Sequence, residues 1–156
     1  MITRTRRPAT PDLARAAGPD QYCGYYDPMP NWVPRDRVRG IACGKYWEAI
    51  RVGLDDGLRA QHILGPRSGP VLASIYTQTV LFLLDPRALG SWNQPGTRQM
   101  RRGAIVEIPP AAITGGRDVR WVVRPGEGTT DPAALRAALL SPAVTSPRPG
   151  RKGGRA

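Results

Sequence analysis

Between Lys45 and Leu84 the chain switches hydrophobic period twice, and this restricts the folds open to it more than any other stretch. Tyr46–Val52 is aromatic and β-branched, as a short strand is; Leu54, Leu58, Ala60, Ile63 and Leu64 then recur at helical spacing. Val71–Ile75 and Thr79–Leu84 are apolar runs around the polar tip Tyr76-Thr77-Gln78, which predicts a hairpin. The helix Leu54–Leu64 has Asp55 and Asp56 in its first turn, where they complement the dipole, and Gly65-Pro66 to stop it. Gly57 inside it costs about 1 kcal/mol relative to alanine, so this helix needs a sheet to hold it. Along the first strand, period two sends Tyr46, Glu48, Ile50 and Val52 one way and Trp47, Ala49 and Arg51 the other. Neither set is cleanly polar, the pattern of a strand covered on both faces.

Around this unit the chain divides into three parts. Residues 1–37 read as an irregular basic and aromatic arm, with at most a turn or two of helix at Asp12–Ala17. In it Tyr22–Pro34 alternates aromatic residues with turn formers, either an adhesive segment or one that lays Tyr22, Tyr26 and Trp32 into grooves of the core. Residues 38–140 form the core domain. Val38–Gly44 reads as an edge strand or a strand entry into the central unit, Asp85–Gly103 as a long connection, and Ala104–Ile108 and Val119–Arg124 as strands. Pro132 at a first helical position and Pro142 beyond the end bound a helix at Asp131–Leu140. Residues 141–156 read as a disordered basic tail. The expected fold class is α+β, a small mixed or antiparallel sheet of about five strands with two packed helices.

At 156 residues the chain suits one domain with tails, and 18 Gly with 17 Pro require extensive loops. The net charge of +11 is carried almost wholly by arginine, since Lys45 and Lys152 are the only lysines. The tail has four cations and no acid beyond Pro147, so it supplies four of those eleven charges. Such an excess favours a polyanionic partner, nucleic acid before a membrane surface. Cys23 and Cys43 are the only cysteines and form no C-x-x-C, so neither a zinc site nor a disulfide scaffold is indicated. The basic N-terminus leads into Pro8 and Pro11 rather than an apolar segment, and no run approaches membrane-spanning length, so a cytoplasmic protein is expected.

Catalytic constellations are scarce. The chain holds no phosphate-loop motif, no G-x-S-x-G and no H-E-x-x-H, and its single histidine, His62, reads as a surface residue of the first helix. Asp55 and Asp56 point about 100° apart on that helix, which suits dipole and capping roles better than a shared metal. No cofactor is implied.

The order Gly44–Val52, helix Leu54–Leu64, Gly69-Pro70-Val71, hairpin through Leu81-Phe82-Leu83, then Val106-Glu107-Ile108-Pro109-Pro110 resembles a known family. It is similar to small actinobacterial proteins related to the N-terminal domain of bifunctional DNA primase/polymerases, of the archaeo-eukaryotic primase type, over about Ile41–Leu140. The resemblance implies two acids, one residue apart, at the end of the strand Trp47–Gly53, binding divalent metal, and a later histidine near the nucleotide phosphates. The matching positions here are Arg51 and Gly53, Glu48 falls on the opposite strand face, and no histidine follows His62. Two-metal nucleotidyl transfer needs clustered carboxylates.

The function expected is therefore that of a non-catalytic primase/polymerase-like domain that binds nucleic acid or accompanies a replication protein. The alternative is a protein-interaction or regulatory module without nucleic acid affinity. The arginines expected to contact phosphate are Arg98, Arg101 and Arg102 of the long connection, Arg120 and Arg124 on one face of the last strand, and Arg148, Arg151, Lys152 and Arg155 of the tail. Trp92, in the same connection, is expected to stack on an exposed base.

Overall fold

The computed structural model describes residues 29–116, 118–126 and 128–142. Tyr22, Cys23 and Tyr26 of the arm and the cationic residues of the tail lie outside them.

Seven strands form two antiparallel sheets among the described residues. The larger has the order β5–β2–β4–β3–β7, with β2 at Glu48–Gly53, β3 at Val71–Ser74, β4 at Thr79–Leu84, β5 at Thr97–Met100 and β7 at Val119–Val123. The smaller is a ribbon of β1, Arg39–Ala42, and β6, Ile105–Ile108. The helices are α1, Leu54–Leu64; the single turn α2, Pro86–Leu89; and α3, Pro132–Leu140. This is the expected α+β fold with its five-stranded sheet and two main helices.

Period-two alternation in the central strands builds a core on each face. Ile50 and Val52 of β2, Val71 and Ala73 of β3, and Val80, Phe82 and Leu84 of β4 meet Ala60 and Leu64 of α1 and Leu135, Ala138 and Leu139 of α3. The intervening Ala49, Leu72 and Leu83 turn to the other face, where they pack with Trp47, Trp121, and Val106 and Ile108 of the ribbon. The five-stranded sheet is thus sandwiched between helices and ribbon, and the mixed polarity of Tyr46–Val52 has its explanation there. The Val38–Gly44 and Ala104–Ile108 strands belong to the ribbon, not to the central sheet, because their alternating Val106 and Ile108 serve as a lid on Trp47 and Trp121.

Capping fixes the helices in place. Asp131 accepts from the Ala134 N–H at 2.9 Å ahead of Pro132, and Asp85 caps α2 by accepting from the Arg87 N–H at 2.9 Å. The backbone N–H of Leu54 donates to Gln78 O, tying the start of α1 to the hairpin tip. Gly57 is buried, and a Cβ there would stand 2.6 Å from Val80 Cβ, so the glycine lets α1 approach β4.

The folded part begins earlier than residue 38. The Trp32 ring meets Trp47 edge-on at 5.8 Å between centroids and Trp121 at 6.2 Å, and Val33 is buried. Trp121 is itself fixed by its indole N–H, which donates to Pro109 O at 3.1 Å. Of the two readings of the arm, docking into the core therefore holds at Trp32. No helix among the described residues is long and apolar enough to cross a membrane.

Candidate nucleic-acid interface

Strand register brings cations together where sequence reading did not look for them. In the β2–β5 ladder Arg51 stands directly opposite Arg98, with Ala49 opposite Met100 one step along on the same face. Ala49 and Met100 belong to the ribbon-side core, so both arginines leave the sheet on that side, past the end of the ribbon. Directly opposed side chains lie about 5 Å apart at Cβ, and like charges so placed destabilise a sheet. Among the described residues neither guanidinium has an ion-pair or hydrogen-bond partner.

An open groove of about 210 Å³ lies beside Arg51, lined on its polar side by Arg51, Ser74, Thr77, Thr79 and Glu107 and on its apolar side by Leu81, Met100, Ile105, Val106 and Val119. Its three hydroxyl residues, Ser74, Thr77 and Thr79, come from the tight end of the β3–β4 hairpin. The Thr77 and Thr79 hydroxyls share a hydrogen bond of 2.7 Å, and the Thr77 N–H donates to Ser74 Oγ at 3.2 Å. Hydroxyls and unpaired guanidinium groups are the donors that phosphate oxygens accept from.

The long connection is more ordered than its sequence suggested. Its second half is the strand β5, paired with β2, and its first half holds α2. Thr97–Met100 has only Met100 as an apolar signal, so no alternation marked it as a strand. β5 carries Arg98 and leads directly into Arg101 and Arg102, both exposed. The turn that follows is pinned by the Gly103 N–H donating to Cys43 O at 2.9 Å, and the stem of Arg102 lies against Gly44. Arg51 and Arg98, with Arg101 and Arg102 following just beyond the end of β5, are the cations of the basic rim at this edge of the sheet.

The other expected contacts are elsewhere. Arg120 pairs with Ala73, a helix-side residue, and donates from Nη1 to Gly116 O at 3.3 Å. Val122 and Val123 both pack against the helix-side core across an irregularity opposite Val71 and Leu72, and β7 ends before Arg124. The pair Arg120 and Arg124 does not form a continuous arginine face. It lies on the edge opposite the rim, four strand spacings or about 19 Å across the sheet.

Trp92 is half-buried rather than an open platform. Its indole N–H donates to Thr97 Oγ1 at 2.8 Å, its ring packs on the helix-side core, and the Arg136 guanidinium sits 5.0 Å over it. Arg136 also donates to Ser91 O at 2.7 Å. The tryptophan fastens the connection to α3, which removes the expected stacking role.

Glu48 lies on the helix side, where it accepts from Gln99 Nε2 at 2.7 Å. Among the described residues no group of three or more His, Cys, Asp or Glu could hold a metal ion. His62 is exposed on α1. The buried Cys43 thiol is pushed up to about 11 by desolvation, which keeps it protonated and poorly nucleophilic.

Among the described residues five of the eight acids are engaged locally. Asp85 and Asp131 cap helices, Glu48 holds Gln99, Asp36 pairs with Arg39 at 3.3 Å and Asp56 faces Arg59 at 3.9 Å. The Arg39 guanidinium holds the Asp36 carboxyl below its ordinary range. None of these five lines the groove beside Arg51, and the acid that does is Glu107. Comparison with protein-family models, with curated proteins and with solved structures finds no match to this chain.

Proposed function

We propose that this domain binds nucleic acid through its phosphate backbone, as a primase/polymerase-like domain that works without metal-dependent nucleotidyl transfer, alone or beside a replication protein. The observation that carries the reading is the Arg51–Arg98 pair, with Arg51 lining the groove that also carries Ser74, Thr77 and Thr79. Arg51 occupies a position where the resemblance implies a metal-binding acid. A guanidinium there repels a divalent cation and attracts the phosphate that the cation would have bridged. The repulsion between Arg51 and Arg98 is relieved when an anion lies between them, so ligand binding recovers energy that the free sheet has stored.

Binding of this kind reads little sequence and depends steeply on salt, because each neutralised phosphate releases counterion. The test is the affinity of the intact chain for a short oligonucleotide across a range of salt concentrations, with and without Arg51→Glu/Arg98→Glu. Loss of two phosphate contacts lowers the log–log salt slope by about 1.4 on a single strand and about 1.8 on a duplex. An unchanged slope in the double variant would remove the groove from the interface, and no binding by the intact chain at low salt would refute the reading. Primer extension with magnesium or manganese is expected to give no product. Synthesis abolished by Glu48→Ala would reverse that part of the proposal.

A further inference from the structure

Trp32 is the common wall of two openings on the ribbon side. One, of about 450 Å³, is lined by Trp32, Tyr46, Trp47, Pro70 and Thr129 among others. The second, of about 330 Å³, is lined by Asn31, Trp32, Arg35, Asp36 and Arg39. The first is aromatic and the second cationic. Both are of the size of small-ligand sites.

Trp47 is 1% exposed, yet its indole N–H is the single buried side-chain donor without a partner among the described residues. By contrast the similarly buried Trp121 has its acceptor in Pro109 O. A buried donor left unmatched is costly, and an acceptor-bearing ligand in the cavity that Trp47 lines is a means of satisfying it. Tyr46 at the rim is exposed, with Lys45 Nζ 4.9 Å above its ring. The second opening carries two arginines, Arg35 and Arg39, and one acid, Asp36, which Arg39 engages at 3.3 Å.

We infer that Trp32, Tyr46 and Trp47 receive one unstacked base of a single-stranded nucleic acid while Arg35 and Arg39 hold the adjoining phosphate. The inference rests on the nucleic acid reading above and adds to it a base-recognition site separate from the basic rim. Charge selects the occupant: an aromatic cavity beside an opening where two arginines meet one acid suits a ligand that is planar at one end and anionic at the other. Trp47 is 1% exposed, so its N–H meets a base carbonyl only when the cavity wall opens around it. Every base has a stacking face, so the site discriminates single from double strands more than one sequence from another.

The experiment compares binding of the full chain to a short oligothymidylate and to an abasic strand of equal length, with polyglutamate as a charge-only competitor. The base-bearing strand is expected to bind at least about five-fold more tightly, the lower end of what one stacked base contributes, and to quench tryptophan fluorescence. Trp32→Ala removes that preference and the quenching while leaving the affinity for the abasic strand. Because Trp32 also packs on two core tryptophans, Tyr46→Ala is the second variant, and it is expected to reduce the preference with the fold intact. Equal affinity of the intact chain for both strands overturns the base site and leaves phosphate binding standing. Binding to neither overturns both readings. A preference undiminished in both variants, or displacement of the base-bearing strand by polyglutamate as readily as of the abasic one, assigns the contact to another surface and overturns the inference.

Discussion

Gly57→Ala sets two effects of opposite sign against each other in one side chain. Within an exposed helix the change stabilises by about 1 kcal/mol, because glycine is the poorer helix former. Here the new methyl would stand 2.6 Å from Val80 Cβ and 2.9 and 3.1 Å from the two valine methyls. No rotation of Val80 about χ1 relieves a contact to its Cβ, and Val80 is fully buried on β4, which is paired on both sides. The strain must fall on the backbone of α1 or of the central sheet, so the cost lies near the upper end of the overpacking range, about 3 kcal/mol. The expected net effect is a loss of about 2 kcal/mol. In urea the midpoint falls by about 1 M at an unchanged slope. Gly115→Ala, where a Cβ meets nothing within 4 Å, is the control and stays within about 0.5 kcal/mol of the parent. A Gly57→Ala protein as stable as the parent, or more so, would refute the close helix–sheet approach and return Gly57 to a propensity defect.

Thr130→Val tests the joint between α3 and the sheet. Thr130 is 1% exposed and its hydroxyl accepts from the Gly69 N–H at 3.0 Å, so the variant leaves that N–H unmatched and loses about 1–3 kcal/mol in urea unfolding. Stability should also fall at high pH through Cys43. Its folded-state value near 11 lies above the ordinary 9.0, so the stabilisation is complete below about pH 9 and declines by up to about 1.4 kcal/mol per pH unit as pH rises towards 11. Comparing unfolding free energies of the parent and Cys43→Ala across that window isolates the effect, and parallel curves would exclude it.

The elements with a strong period were legible in sequence. The helix Leu54–Leu64 and the hairpin Val71–Leu84 came from apolar spacing and turn residues, and the helix at Asp131–Leu140 from its cap and prolines. β5 was not legible, because an edge strand of Thr, Arg, Gln and Met packs only Met100 against the core and so shows no alternation. The same gap hid the site. Arg51 stood in the sequence as a residue replacing a metal ligand, and only the β2–β5 register sets Arg98 opposite it. Gly57 likewise read as a cost, since its neighbour Val80 is distant in sequence and close only once α1 lies on β4. Trp92 read as a free aromatic for the same reason: its partner Arg136 belongs to α3.

The division of arginines between two edges makes a final prediction that the sequence alone would have reversed. If all the expected arginines formed one surface, charge reversal at Arg120 and Arg124 would cost as much as reversal at Arg98 and Arg101. Instead Arg98, Arg101 and Arg102 follow one edge strand beside Arg51, whereas Arg120 is on the far edge, on the helix side, and already bonded to Gly116 O. Arg101 lies just past the end of β5 and at most about 10 Å from Arg98 at Cα, within reach of phosphates on one backbone, but the two edges are separated by about 19 Å and by the thickness of the sheet. A single short oligonucleotide lying on the rim therefore leaves Arg120 and Arg124 unengaged. Arg98→Glu/Arg101→Glu is expected to lower the salt slope by about two contacts, while Arg120→Glu/Arg124→Glu changes affinity only through long-range charge, an effect that fades once the Debye length falls below about 10 Å. Titrations at low and at high salt separate the two, and equal loss of slope from both pairs would show that the polyanion crosses the sheet rather than following its β5 edge.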